Sequence, residues 1–151
     1  MSTTGAGDER GPSPTKDAKA KALLCARWAL EKKAYGIEIL NVGVLTPIAE
    51  YFLICSGRSV RQTQAIVEHI RTRLKQELKE LPLGMEGERE GNWVLLDCDD
   101  VIVHVFDEPT RELYRLEKLW SDAPRVTDPD ILEEERKAAA PWPEEEEDWE
   151  D

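Results

Sequence analysis

No stretch of this sequence approaches the roughly 20 consecutive apolar residues of a membrane-crossing helix. Its first residues hold neither the apolar core of a signal peptide nor an Arg-rich amphipathic pattern. Those two absences predict a soluble, cytoplasmic protein with no membrane partner. Cysteine and histidine are scarce. Cys25, Cys55 and Cys98 are odd in number and far apart, which fits reduced thiols better than a disulfide framework. The two histidines, His69 and His104, lack the closely paired Cys or His neighbours that a zinc site needs. Glycine-rich signatures are missing as well: G-x-x-x-x-G-K-[ST], G-x-G-x-x-G and G-x-S-x-G do not occur. The nucleotide loops and the hydrolase elbow are thereby excluded. No cofactor and no bound metal is expected.

What is present is enough for one domain. A chain of 151 residues with 40% apolar content can bury a core without disulfides or metal. The net charge of -12 is unevenly spread. Residues 127–151 hold 12 acidic and 2 basic side chains, leaving 20 acidic and 18 basic for residues 1–126. The body is near neutral, so overall charge argues neither for nor against a nucleic-acid partner.

Residues 1–13 are small and polar with little to bury, and are read as disordered up to the Ser13-Pro14 pair. That pair resembles an N-cap with proline at the first helical position, and Leu23, Leu24, Ala26, Trp28 and Leu30 supply the apolar stripe of a helix ending near Gly36. A strand is predicted over 37–42 and another over 51–55, the second apolar enough for a sheet centre covered on both faces. Ile66, Ile70, Leu74 and Leu78 then mark a helix of about 20 residues. A short strand near 85–89 precedes two more, Trp93 to Leu96 and Val101 to Phe106, which flank Cys98-Asp99-Asp100 as a hairpin. A last helix begins at Pro109, capped by Thr110 or Asp107, with Leu113, Leu116 and Trp120 on one stripe. This order predicts an α/β class chain, a mixed α+β domain over 14–126 with helices packed on a mixed five-stranded sheet. Residues 127–151 read as an acidic, disordered tail.

Catalytic readings meet specific obstacles. Asp97, Asp99 and Asp100 resemble the carboxylates that hold magnesium in nucleotidyl transfer, and Ser56-Gly57 resembles the phosphate-side Gly-Ser of such enzymes. A long helix and a further strand separate the two groups, however, and Asp99-Asp100 is better read as a turn in which Asp satisfies local backbone groups. Arg58, Arg61, Arg71, Arg73 and Lys75 give the long helix a basic cast, but Glu68 and Glu77 interrupt it and no aromatic residues interleave. A solvated face explains that pattern better than an RNA-binding surface, and no sequence-specific nucleic-acid contact is expected. His104 alternates with Val103 and Val105, as a hydrogen-bonded histidine in a packed sheet would. Trp93, Leu95 and Asp97 share one strand face, and an aromatic ring beside a carboxylate is the composition of a binding hot spot. Tyr114 and Trp120 can likewise bury a ring and leave a polar tip free.

Several segments, taken in order, carry a family resemblance. They are Pro47 to Phe52; Ser56-Gly57-Arg58-Ser59 with Gln62; Gly87-Glu88; Trp93 to Asp97; Asp100 to Phe106; and Tyr114 to Trp120 with Asp122-Ala123-Pro124. Over about 17–126 the chain resembles the ribosomal silencing factor family, also called Iojap. The resemblance implies a nucleotidyltransferase-like fold that is catalytically inactive, hence no enzyme. It also implies binding to the large ribosomal subunit through its ribosomal protein fourteen, at the face where the small subunit docks. Blocking that docking represses translation when nutrients are limiting. Matching positions assign the contact residues as Trp93, Asp97, Asp100, His104, Tyr114, Glu117 and Trp120. Self-association of the free protein is also in keeping with the family. The alternatives are a magnesium-dependent nucleotidyltransferase using Asp97, Asp99 and Asp100, or an RNA-binding ribosome-assembly factor. The chain departs from the family at Glu50, where Asp is common, and at Asp97-Cys98-Asp99-Asp100, where Asp-Tyr-Gly-Asp is common.

Overall fold

The computed structural model describes residues 17–138. Helix α1 (Ala18–Glu31) is capped by the Asp17 side chain, which accepts from the Lys19 amide at 3.0 Å. The Ser13-Pro14 start and the segment 1–13 lie outside the described residues. Ala18, Ala22, Cys25, Ala26 and Ala29 are buried together with Trp28, while Leu23, Leu24 and Leu30 are only partly covered. The expected leucine stripe thus gives way to one of small residues, which lets the helix axis lie close to its neighbours.

Strands β1 (Tyr35–Asn41) and β2 (Tyr51–Gly57) follow, then helix α2 (Val60–Arg73), which continues as a π turn over Leu74–Leu78. Ser59 caps α2 by accepting from the Gln62 amide at 3.1 Å. Ile66, Ile70, Leu74 and Leu78 are all buried, as their spacing predicts. Strand β3 (Gly84–Glu86), strand β4 (Trp93–Asp97) and strand β5 (Val101–Asp107) come next. The five strands form one sheet in the order β1-β2-β5-β4-β3. Only β2 and β5 are parallel; the remaining pairs are antiparallel. The mixed α+β architecture with five strands is therefore the one the sequence predicts, and β2 is buried along nearly its whole length.

The β4–β5 connection is the acidic turn. Cys98 N–H donates to Val101 O at 2.9 Å, and Asp99, with φ of 73°, has its amide held by Asp97 Oδ1 at 2.9 Å. Asp tolerates this left-handed backbone where most side chains resist it, which accounts for Asp99 in place of a turn glycine. Gly87 is less replaceable: at φ +81° a Cβ there would lie 2.1 Å from the Trp93 carbonyl oxygen.

Beyond β5 the chain forms two short helices, α3 (Glu108–Tyr114) and α4 (Leu116–Leu119), where the leucine spacing predicts a continuous one. Arg115 divides them, at φ 46° and ψ 55°. Of the predicted stripe only Leu116 is buried; Leu113 points out, 75% exposed. The reading of 127–151 as a disordered tail is corrected for its first part. Residues Pro129–Ala138 form helix α5, with Asp128 Oδ1 accepting from the Asp130 and Ile131 amides at 2.9 and 3.2 Å. Ile131 is 4% exposed and joins the main core; one buried anchor and a capped first turn offset the charge that argued for disorder. The rest of the acidic segment lies outside the described residues.

Two apolar clusters sandwich the sheet. The larger joins α1, α2 and Ile131 of α5 to Leu53, Val94, Leu96, Val101, Val103 and Val105. The smaller, on the opposite face, holds Leu40, Phe52, Ile54, Phe106, Leu116 and Ala123, with Trp93, Ile102 and Trp120 at its margin. No helix among the described residues is long and apolar enough to cross a membrane.

Candidate partner-binding face

The second sheet face arises from strand alternation. Trp93, Leu95 and Asp97 of β4 pair with Phe106, His104 and Ile102 of β5, so all six project to the side opposite the large helices. Their rings form a continuous chain. Trp93 stacks on Phe106, centroids 4.8 Å apart, and lies 5.0 Å from the Tyr114 ring. His104 meets Phe52 edge-on at 4.7 Å, and Phe52 meets Trp120 edge-on at 5.2 Å. Aromatic pairs in these geometries contribute about 0.5–1.5 kcal/mol each beyond the area they bury, which makes the platform stiff.

Polar groups set its orientation. The Trp93 indole N–H donates to His104 Nδ1 at 3.2 Å. A neutral imidazole that accepts at Nδ1 carries its proton on Nε2, and burial pushes the His104 pKa down to about 4. His104 is therefore a fixed, neutral prop for the indole and a poor general base at neutral pH. Glu117 pairs with Arg111 Nε at 3.3 Å, and Arg111 Nη1 donates to Ser56 Oγ at 2.8 Å. A Cβ at Gly36 would come within 2.6 Å of that guanidinium, so the missing side chain makes room for it. Glu117 Oε1 is buried without a hydrogen-bond partner among the described residues. Tyr114 is 54% exposed, and Leu113 and Leu119, next in sequence to Tyr114 and Trp120, are 75% and 77% exposed.

Of the seven residues assigned from sequence, the structure links Trp93, His104, Tyr114 and Trp120 through ring contacts, with Phe52 and Phe106 as the connecting rings. Asp97 stands on the same face and holds the turn. Glu117 joins through the Arg111 network. Asp100 is placed differently, bound to the buried Lys21 of α1 at 2.8 Å on the helical side of the sheet. Sequence reasoning passed over Arg111, whose contact spans 55 positions, and read Leu113 as core.

The groups considered for catalysis do not converge. Asp97 is spent on the turn and Asp100 on Lys21. Among the described residues no cluster of three or more His, Cys, Asp or Glu side chains could hold a metal ion. All three cysteines are buried, and burial pushes the Cys55 and Cys98 thiols up to about 12.

A family profile described as "Ribosomal silencing factor during starvation" matches residues 15–151, extending past position 126, where the sequence resemblance stops. The chain is 43% identical over 96 residues to ribosomal silencing factor RsfS of Halalkalibacterium halodurans, covering 64% of this chain and 81% of that protein. With the RsfS of Bacillus subtilis it shares 44% over 94 residues, 62% of this chain and 79% of the relative. A mouse protein named mitochondrial assembly of ribosomal large subunit protein 1 is 30% identical over 122 residues, 77% of this chain and 53% of its own length. These names describe silencing and assembly and none describes catalysis. Among solved structures, a Chromobacterium violaceum protein superposes with a TM-score of 0.66 at 30% identity, covering 68% of this chain and 85% of that one. A Bacillus halodurans protein does so with 0.61 at 34%, covering 75% and 99%. The profile match spans most of the chain, the solved structures share its fold, and the chain belongs to the ribosomal silencing factor family.

Proposed function

We propose that the aromatic face docks on the large ribosomal subunit through its ribosomal protein fourteen and keeps the small subunit from joining, so that translation falls in starvation. The observation that carries this reading is the ring chain itself. Trp93, His104, Phe52 and Trp120 are linked ring to ring, the half-exposed Tyr114 lies against Trp93, and Leu113 and Leu119, next in sequence to Tyr114 and Trp120, are uncovered. Buried aromatic anchors with apolar and charged neighbours supply most of the energy in protein interfaces, and a footprint of about 800 Å² per partner is enough for specific binding. Blockade of a shared surface requires no chemistry, in keeping with Asp97 and Asp100 being held by separate partners. The free protein is proposed to cover the same rings by self-association.

Trp93→Ala combined with Asp97→Ala is expected to abolish co-sedimentation with large subunits and to restore subunit joining, while circular dichroism stays native. Joining still blocked by the folded double variant would place the contact elsewhere. Titration with magnesium and nucleotide is expected to give no coupled heat. A shallow dependence of subunit affinity on salt is expected for this protein contact, whereas an RNA-binding factor would lose affinity steeply.

A further inference from the structure

The two ends of the sheet are treated differently. The outer side of β1 is covered, because Asn41 N–H donates to the Pro124 carbonyl and Val126 N–H to the Ile39 carbonyl, each at 2.8 Å. At the other end β3 pairs with β4 and has no strand on its outer side among the described residues. Such an edge is a template for a further strand. A Cβ at Gly84 would meet nothing within 4 Å beyond its chain neighbours, so the edge is open where it begins. Helix α2 flanks it. Near the start of α2 Gln64 Nε2 donates to the Glu88 carbonyl at 2.8 Å, just past β3, and the π turn at its other end leads through Leu81 to Gly84. Along that end runs a groove of about 730 Å³ lined by Arg71, Thr72, Lys75, Gln76, Lys79 and Leu81. Among the described residues its lining holds three cations, no carboxylate and no aromatic ring. Arg71 meets Glu68 of its own helix at 3.0 Å in an exposed pair, which contributes little. Leu81 and Leu83, at the approach to β3, are 68% and 71% exposed.

We infer that the β3 edge and the groove beside it take an extended, acidic segment of a protein partner as an added strand, with its apolar side chains on Leu81 and Leu83 and its carboxylates on Arg71, Lys75 and Lys79. Main-chain hydrogen bonds to an edge supply affinity in this mode, and the side-chain sites beside it supply selectivity. Because β3 is short, its main-chain bonds are few and the charges carry a large share of the binding. An RNA strand fits the surface less well: it gains nothing from two exposed leucines and finds no ring on which a base could stack. The cations stand at the Gly84 end of the edge, while Glu86, Glu88 and Glu90 are exposed at and beyond its other end. Antiparallel addition, the more stable ladder, brings the C-terminal end of the incoming segment to Gly84. Its carboxylates therefore belong at that end. The groove is built from the α2 side of the sheet, opposite the aromatic face, so the two surfaces can be occupied together.

A capped synthetic peptide of alternating valine and threonine ending in a run of aspartates, titrated into the full chain, tests this by amide NMR. The Gly84, Met85 and Glu86 signals are expected to shift and their exchange with solvent to slow, which contact with the helix alone would not produce. Lys75→Glu combined with Lys79→Glu is expected to weaken the peptide about tenfold, and Leu81→Ser combined with Leu83→Ser to weaken it as well. All four side chains are exposed, so circular dichroism of both variants should stay native. Their co-sedimentation with large subunits is expected to be unchanged; its loss would merge the groove with the ribosomal contact and overturn it as a separate site. No binding of the peptide, shifts confined to α2 with the β3 amides unmoved, or an oligouridylate moving the same signals at lower concentration would each overturn the assignment, the last by making a nucleic-acid strand the occupant.

Discussion

At His104 the two ring nitrogens have different surroundings. Nδ1 accepts the hydrogen bond of the Trp93 indole N–H, while Nε2 is buried with no hydrogen-bond partner among the described residues. Charging the ring would bury a cation among Phe52, Trp93 and Phe106, which is why its pKa falls to about 4 against an ordinary 6.5. The folded value lies below the unfolded one, so as pH falls the unfolded chain takes up the proton first. The stability tied to this ring is intact above pH 6.5 and is lost as pH falls toward 4, by up to about 3 kcal/mol. Denaturant titrations at a series of pH values are expected to show that loss, and His104→Phe is expected to flatten it. At pH 7 the same change removes the unpaired Nε2–H but strips the Trp93 indole N–H of its acceptor, so a cost of about 1 kcal/mol and weaker subunit binding are expected. Period-two alternation identified His104 as a sheet histidine; that its partner is Trp93 follows from the β4–β5 register, which no single strand reveals.

Helix α3 shows how an element can be half legible. Its start was readable: Asp107 Oδ1 accepts from the Thr110 amide at 3.0 Å and Pro109 sits in the first turn. Burial acts to raise the Asp107 pKa, but hydrogen bonds from Thr110 and Asn92 outweigh it and hold the carboxyl below its usual range. Its end was hidden, because Leu113, Leu116 and Trp120 keep helical spacing across a residue that leaves the helix. Arg115 holds φ 46°, a conformation costing about 1 kcal/mol for a side chain with a Cβ. Arg115→Gly is expected to raise stability by about 0.5–1 kcal/mol, read as an upward shift in Tm. Its ion pair with Glu112 is exposed and adds little. No gain would mean that the break is held by something other than backbone preference. Leu113 and Leu119, on either side of the break, are both exposed, so a local irregularity adds apolar surface next in sequence to Tyr114 and Trp120.

For the whole molecule, Lys21 is the tie between layers. Its ammonium is 2.8 Å from Asp100, 2.9 Å from Glu80 and 3.0 Å from the Cys98 carbonyl oxygen, and joins α1 to the hairpin turn and to the segment after α2. Burial alone would lower its pKa; hydrogen bonds to Asp100 and Glu80 outweigh that and raise it. Lys21→Met leaves two carboxylates facing each other and is expected to cost about 3 kcal/mol in denaturant midpoint analysis, part of it recovered when Asp100→Asn is added. A neutral outcome for Lys21→Met would assign the tie to packing alone. Because Asp100 serves this tie, its substitution is expected to lower stability more than it lowers subunit affinity.

The order of the strands and of the first two helices, the acidic turn, the buried fourth-residue stripe of α2 and the family itself were determined by the sequence alone, because each depends on neighbours along the chain: side-chain period, backbone preference and turn chemistry. Tertiary structure decided the rest. Pairing β2 parallel to β5 brings Phe52 to His104, and Ser56 within reach of Arg111. Helix α5 is ordered because Ile131 finds a core formed by residues far from it in sequence. Such contacts join positions tens of residues apart, and their energy exists only once the sheet has brought them together.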